Sequence, residues 1–199
     1  MNKLFFIYFL LFGVFISCKT TYPPNLHLQK KSSVTPYYKM FGLKDTNSIL
    51  VGIGVSGFWV GAYEKKFVCS LKNNRVKIFK TVHPFGTNTK KTIKEYKLSN
   101  KKSRDLYEKL ILQIKDSNFS FSQKELNITE KESSHGMMEG ISISDGITYQ
   151  IMIFQAGKYS PFSTSNPRTF IGNNYPGKEE RIRFMKLYNE FENKLKLLK

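Results

Sequence analysis

Ser133, His135 and Glu139 place a hydroxyl, an imidazole and a carboxylate in one short segment that also contains Ser134. Hydrolases use these side chains as nucleophile, general base and general acid. An enzyme of that kind would need His135, Glu139 and Asp145 to converge in a cleft. A solvated loop histidine is the simpler interpretation, and the sequence predicts no catalytic residue.

The histidines do not form a metal-binding motif. His27, His83 and His135 lie 56 and 52 residues apart, and the chain has no H-x-x-x-H or C-x-x-C pair. Metal sites commonly contain such closely spaced ligands. The sequence therefore predicts no metal site and no bound cofactor.

A glycine-rich segment, Gly52-Ile53-Gly54-Val55-Ser56-Gly57, satisfies the dinucleotide pattern G-x-G-x-x-G. That motif requires a helix N-terminus to receive the pyrophosphate, but the run from Phe58 to Tyr63 is strand-like. The segment also misses the hydrolase elbow G-x-S-x-G, because Phe58 replaces the last glycine. We therefore interpret these glycines as positions where the sheet bends or where backbones approach closely.

The segment between Gly157 and Gly177 is a candidate binding loop. It combines aromatic and basic side chains that can contact a carbohydrate, a peptide or a carboxylate-bearing partner. These side chains are Lys158, Tyr159, Phe162, Arg168, Phe170 and Tyr175. The alternative, which we prefer, is that the aromatic residues fold back on the sheet while residues 169–171 form an edge strand.

The N-terminus begins with Met1-Asn2-Lys3 and continues as an uncharged, apolar run that ends at Phe15-Ile16-Ser17-Cys18. This pattern resembles the lipobox of bacterial lipoproteins. The resemblance covers about the first twenty residues. It implies a diacylglycerol on the Cys18 sulfur, cleavage before Cys18 and an N-acyl chain on the new amino group, so the lipid is the only group expected on the protein.

Two alternatives to a lipoprotein signal fit less well. A transmembrane helix needs about 20 apolar residues, and Lys19 ends this run too early. An ordinary secretory signal is cleaved after a small-x-small pattern, whereas Phe15 is bulky. Because no acidic residue follows Lys19 directly, the resemblance implies an outer-membrane lipoprotein facing the periplasm, with the inner membrane and the cell surface left open.

The chain has 32 Lys and Arg against 15 Asp and Glu, a formal net charge of +17. Only five of these basic residues are Arg, the side chain that base and phosphate recognition prefers. The lysines are also scattered along the chain. The charge therefore disfavours nucleic acid as a partner, and leaves a membrane surface, an envelope protein or an anionic envelope polymer.

The hydrophobic periodicity predicts an α+β fold in which an antiparallel sheet carries two amphipathic helices on one face. The expected strands cover 48–55, 58–63, 67–71, 75–82 and 90–98, followed by a hairpin with isoleucines on both sides of Asp145-Gly146. The expected helices cover 103–115, capped by Ser103, and 178–198. Cys69 is expected to be a small buried side chain within a strand.

The predicted organisation is a signal peptide over residues 1–17, a lipidated tether over 18–47 and a single domain over 48–199. This organisation favours a noncatalytic envelope lipoprotein that acts as a membrane-tethered binding or assembly module. Two alternatives stay open: an inhibitor or immunity-type lipoprotein that blocks one protein partner, and an envelope hydrolase.

Overall fold

The computed structural model describes residues 26, 28, 30–31, 35–43, 47–57, 62–84, 91–115 and 119–196. The predicted signal peptide, Cys18 and His27 lie outside these residues. The strands are β1 (Lys30–Lys31), β2 (Leu50–Gly57), β3 (Ala62–Leu71), β4 (Arg75–Pro84), β5 (Thr92–Tyr96), β6 (Glu130–Glu132), β7 (Met138–Gly140), β8 (Ile147–Gln155) and β9 (Lys158–Ser165).

The helices are α1 (Thr35–Met40), α2 (Asn100–Leu106), α3 (Leu112–Lys115), α4 (Gln123–Leu126), α5 (Pro167–Gly172) and α6 (Lys178–Lys196). A π-helical turn, Tyr107–Ile111, joins α2 to α3. Six long strands and the two-residue β1 form an antiparallel sheet in the order β1-β9-β8-β2-β3-β4-β5, and β6 pairs with β7 in a separate small sheet. The predicted α+β class is confirmed.

The main core lies between one face of the sheet and two helices, α2 and α6, as the sequence predicts. Ile151 and Ile153 of β8 are both 1 % exposed on this face. Leu110 and Phe184, from the helical side, are fully buried against them. Burying such side chains is worth about 1.5–3 kcal/mol each, so this layer is a major source of stability for the domain.

The opposite face of the sheet is partly covered by α1. Tyr38 and Phe41 are buried there against Leu50 and Phe67, and the ring of Phe41 stacks on Phe79 at 4.4 Å. Residues within the predicted tether of 18–47 thus pack on the sheet, and β1 also pairs with β9. The folded domain begins before residue 48.

The predicted hairpin around Asp145-Gly146 is wrong. Residues 141–143 form no strand, and β8 pairs instead with β2 and β9. Asn166 bonds the first residue of β8, because its side-chain Oδ1 accepts from the Ile147 N–H at 2.8 Å. A Cβ on Gly146 would lie 2.6 Å from the Asn166 amide, so glycine is needed for this close approach rather than for a hairpin turn.

Two other predictions for strands are confirmed. Asn73 and Asn74 have φ of 63° and 53° in the β3–β4 turn, the conformation that asparagine tolerates. Gly52 and Gly54 lie within β2, where a Cβ on Gly52 would approach the Phe67 ring to 2.7 Å. Gly52 thus makes room for an aromatic side chain, whereas the sequence predicted a bend or a close approach of backbones. Cys69 is fully buried as expected.

Ser103 does not cap a helix. The cap is Ser99, whose side chain accepts from the Lys102 N–H at 3.3 Å. Ser103 lies one turn later and is 5 % exposed. Its hydroxyl instead bonds the backbone of Val76, accepting from the N–H and donating to the carbonyl at 2.8 Å each, so it ties α2 to β4.

Candidate functional site

The candidate chemical segment forms the turn of the β6–β7 hairpin. Ser133 Oγ accepts from the N–H groups of His135 and Met137 at 3.3 and 3.2 Å, so this hydroxyl shapes the turn. His135 is exposed, and its Nδ1 lies 3.2 Å from Ser134 Oγ. Within the part of the chain that the structure describes, His135 bonds to Ser133 and Ser134 and not to Glu139, so the histidine is not joined to a carboxylate.

Among the residues that the structure describes, no group of three His, Cys, Asp or Glu side chains could hold a metal ion. Glu64 and Glu192 do approach each other through Lys66, whose Nζ lies 3.8 and 2.7 Å from their carboxylates. Lys80 pairs with Glu64 at 2.7 Å. Both carboxylates are thus engaged in ion pairs, and the Lys66–Glu192 pair connects α6 to the sheet.

Tyr188 lies beside this ion-pair cluster. Its ring contacts Tyr149 edge-on, with 5.0 Å between centroids. Burial raises the pKa of the Tyr188 hydroxyl well above its ordinary value, and the nearby carboxylates of Glu192 and Glu64 raise it further. The Tyr188 hydroxyl therefore keeps its proton at neutral pH.

The candidate binding loop over 157–177 is not a loop. Its first half is strand β9 and its second half contains helix α5. The alternation of buried and exposed side chains along β9 is not visible in the sequence, because the strand contains Pro161 and several serines. Residues 169–171 are helical and form no edge strand.

The six candidate residues of that segment do not share one surface. Phe170 and Tyr175 are each 3 % exposed, and their rings meet edge-on at 5.2 Å. Tyr159 stacks on Phe154, and Phe162 packs edge-on against Phe121. Only Lys158 and Arg168 among the six are exposed. The aromatic side chains therefore fold inward, as the preferred alternative expects.

Phe170 and Tyr175 form part of a buried support beneath the β6–β7 hairpin. Arg181 of α6 is 0 % exposed, and its guanidinium donates to the carbonyls of Pro176 at 2.6 Å, Leu126 at 3.5 Å and Ile128. Ile128 lies two residues before β6. A single buried side chain thus joins the start of the hairpin to α4 and to the turn before α6.

The surroundings of Arg181 are adapted to this role. Gly177 has φ of +77° and lies so close to the Glu125 carbonyl that a Cβ would collide with it. Burial lowers the pKa of the Arg181 guanidinium, but arginine stays protonated in proteins. Its charge is therefore stabilised by carbonyl dipoles.

Lys131 of β6 adds a second connection on the outer side. Its Nζ lies 5.0 Å from the centroid of the Tyr175 ring and donates to the Asn173 carbonyl at 3.4 Å. Lys131 also pairs in register with Glu139 across the hairpin. The lower half of the hairpin is thereby held against α5 and the turn that follows it.

The tip of the hairpin exposes two methionines. Met137 is 66 % exposed and Met138 is 64 % exposed, the highest values for large apolar side chains among the described residues. Four acidic residues and one lysine lie between positions 130 and 145. This acidic hairpin with an apolar tip, composed of residues 130–140, contrasts with a chain of net charge +17.

Comparison of the chain with protein-family models, curated proteins and solved structures gives no match. Within the described part of the chain, no helix combines the length and apolar character needed to cross a bilayer. The assignment of a site therefore depends on the geometry of the hairpin.

The sequence did not predict the β6–β7 hairpin as a binding site, because its candidate binding loop was the segment 157–177. Ser133, His135 and Glu139 drew attention through their chemistry, whereas the exposed feature is the Met137-Met138 pair. A signal was present in the sequence, because two adjacent methionines lie in a locally acidic segment of a basic chain. Arg181 gave no such signal, since its burial depends on carbonyls that are distant in sequence.

Proposed function

We propose that this protein is a noncatalytic envelope lipoprotein, held at a membrane by lipid on Cys18, and that the tip of its β6–β7 hairpin binds a protein partner. The exposure of Met137 and Met138 on a supported hairpin is the observation that carries the proposal. Contiguous exposed apolar side chains mark interaction sites. Methionine is flexible and polarisable, which suits it to binding surfaces.

The charge around the tip favours a protein partner over an anionic membrane. Glu130, Glu132 and Glu139 flank the methionines along both strands. Anionic headgroups repel such a surface, whereas a protein with an apolar pocket and a basic rim complements it. We therefore assign membrane attachment to the lipid and partner contact to the hairpin.

The support beneath the hairpin favours binding with little reorganisation. Arg181 and Lys131 connect the hairpin to α4, α5 and the turn before α6. A preorganised contact loses less conformational entropy when the complex forms. An inhibitor or immunity-type role uses the same contact, and it differs only in that the partner loses activity when bound.

Site-specific photo-crosslinking in the native membrane tests this proposal. A photoreactive residue at position 138 should give one discrete protein adduct, and the same residue at the exposed Leu112 position should not give it. The Met137→Ser, Met138→Ser double variant should lose the partner during purification. The matched Leu112→Ser variant should retain it, with the same thermal midpoint for both.

Two results would overturn the hairpin contact. Equal recovery of the partner by the double variant and by wild type would show that the tip is not the binding element. Adducts from position 138 that contain only lipid would show that the tip touches the membrane instead. Loss of the partner's enzymatic activity on addition of the wild-type protein would identify the inhibitor form of the proposal.

A further inference from the structure

A shallow groove of about 400 Å³ lies where the ends of β4 and β5 meet the start of α2. Val76 and Ser103, which are 3 % and 5 % exposed, form its floor. Leu71, Tyr96 and Leu98 provide apolar walls. The volume falls within the range of roughly 300–1,000 Å³ that is usual for small-molecule sites.

Arg75 contributes an incompletely paired guanidinium to this groove. Its Nη1 donates to Asn100 Oδ1 at 3.2 Å. Its Nε is buried and has no hydrogen-bond partner among the described residues. A buried donor without an acceptor costs about 1–3 kcal/mol, so the protein itself satisfies the Arg75 guanidinium only in part.

The other charges of the groove leave it cationic. Lys77 pairs with Glu95 at 3.1 Å, so the acidic residue in the lining is already engaged. Lys97 lies in the same lining, and no ion pair is formed by Lys97 or Arg75 within the described chain. The planar fork of arginine matches the two oxygens of a carboxylate or phosphate.

We propose that this groove binds the carboxylate or phosphate of a small amphipathic molecule, with Arg75 and Lys97 on the oxyanion and the apolar walls on its hydrocarbon part. The proposal does not depend on the hairpin or its partner. Leu71 and Leu98 distinguish this groove from an ordinary basic surface, because they offer contact area to an alkyl group.

Arginine side-chain NMR provides a direct test on the full-length protein in detergent micelles. The chain has five arginines, so selective ¹⁵N labelling gives five Nε–H signals, and the Arg75 signal is assigned by its loss in Arg75→Lys. Hexanoate and butyl phosphate should each be titrated, with hexanol and inorganic phosphate as probes that lack the charge or the alkyl group.

The Arg75 signal should shift and saturate with hexanoate, butyl phosphate or both, and the two titrations distinguish a carboxylate from a phosphate ligand. Inorganic phosphate and hexanol should bind at least about tenfold more weakly, which corresponds to 1.4 kcal/mol. Lys97→Gln should weaken binding of the amphipathic anion, and Lys101→Gln, which removes an exposed lysine outside the lining, should not.

Three results would overturn the proposal. An Arg75 signal that does not change during the titrations would show that the anion does not bind beside the guanidinium. Parallel, unsaturated shifts of Arg75 and the exposed Arg104 would indicate ordinary ion binding to a basic protein. Equal affinity for inorganic phosphate and butyl phosphate would show that the apolar walls do not contact the ligand. Because Arg75→Lys also removes the contact of Arg75 with Asn100, the Lys97 and Lys101 variants supply the comparison of affinities.

Discussion

The guanidinium of Arg181 lies over the ring of Phe170, with 5.0 Å between the arginine Cζ and the ring centroid. Arg181 is fully buried, and within the described chain no carboxylate pairs with it. Three backbone carbonyls and one aromatic face take the place of a counter-ion. The arrangement lets one side chain join three segments, and it supplies a donor to the carbonyls of Pro176 and Ile128.

Replacing Arg181 by Met should destabilise the domain by about 1–3 kcal/mol, because the partly buried carbonyls of Ile128 and Pro176 lose their donor. The free energy of unfolding from urea denaturation measures this loss. Arg168→Met removes an exposed arginine from the neighbouring helix α5 and should leave the midpoint unchanged. Equal midpoints for both variants would show that the buried guanidinium has no supporting role.

The sheet illustrates what periodicity can and cannot predict. Asn73-Asn74 between two alternating segments indicates the β3–β4 hairpin, because only nearby residues determine it. The isoleucines around Asp145-Gly146 give an equally strong local signal. The hairpin that they predict does not form, because Asn166 bonds the first residue of β8 and because β8 pairs with β2 and β9. A local sequence pattern does not specify which distant strand pairs with a given segment.

The candidate site shows the same limit. The exposed Met137-Met138 pair is visible in the sequence as a composition change, but exposure itself depends on what else covers the hairpin. Arg181 lies among polar residues of α6 and resembles a solvated helix residue. Its partners at Leu126, Ile128 and Pro176 are brought together only by the tertiary fold.

Ser103 and Ser99 should respond differently to alanine. Ser103→Ala leaves the buried N–H and carbonyl of Val76 without a partner, which should cost about 1–3 kcal/mol of unfolding free energy. Ser99→Ala removes an exposed cap with a long contact of 3.3 Å, and its effect should lie at the lower end of the range of about 0.5–2 kcal/mol for caps. Urea denaturation of both variants tests the order. A larger effect of Ser99→Ala than of Ser103→Ala would contradict the role of Ser103 as the stronger connection between α2 and β4.

Tyr188 should make the domain sensitive to alkali. Burial raises the folded-state pKa of this tyrosine, so the native state retains a proton that the unfolded state releases above about pH 10. The stabilisation is fully present below the unfolded pKa and is lost as the pH rises through the folded pKa. Stability should therefore decrease above about pH 10.

Tyr188→Phe isolates this contribution because the lysines titrate alike in both proteins. The difference in unfolding free energy between wild type and variant should be constant from pH 7 to about 9, and should shift in favour of the variant above about pH 10. Urea titrations at each pH measure it. A difference that does not change with pH would show that Tyr188 titrates as an ordinary exposed tyrosine.

Cys18 should determine membrane attachment. If the lipobox is processed, wild-type protein should begin at Cys18, carry acyl mass and partition into detergent. Each buried methylene contributes about 0.8 kcal/mol, and two or more chains anchor stably where one does not.

Cys18→Ala should lack the acyl mass and leave the detergent fraction, whereas Ser17→Ala keeps a small residue before the cysteine and should behave as wild type. Intact mass and phase partitioning measure both properties. Acyl mass absent from wild type, or membrane binding retained by Cys18→Ala, would contradict the lipoprotein assignment.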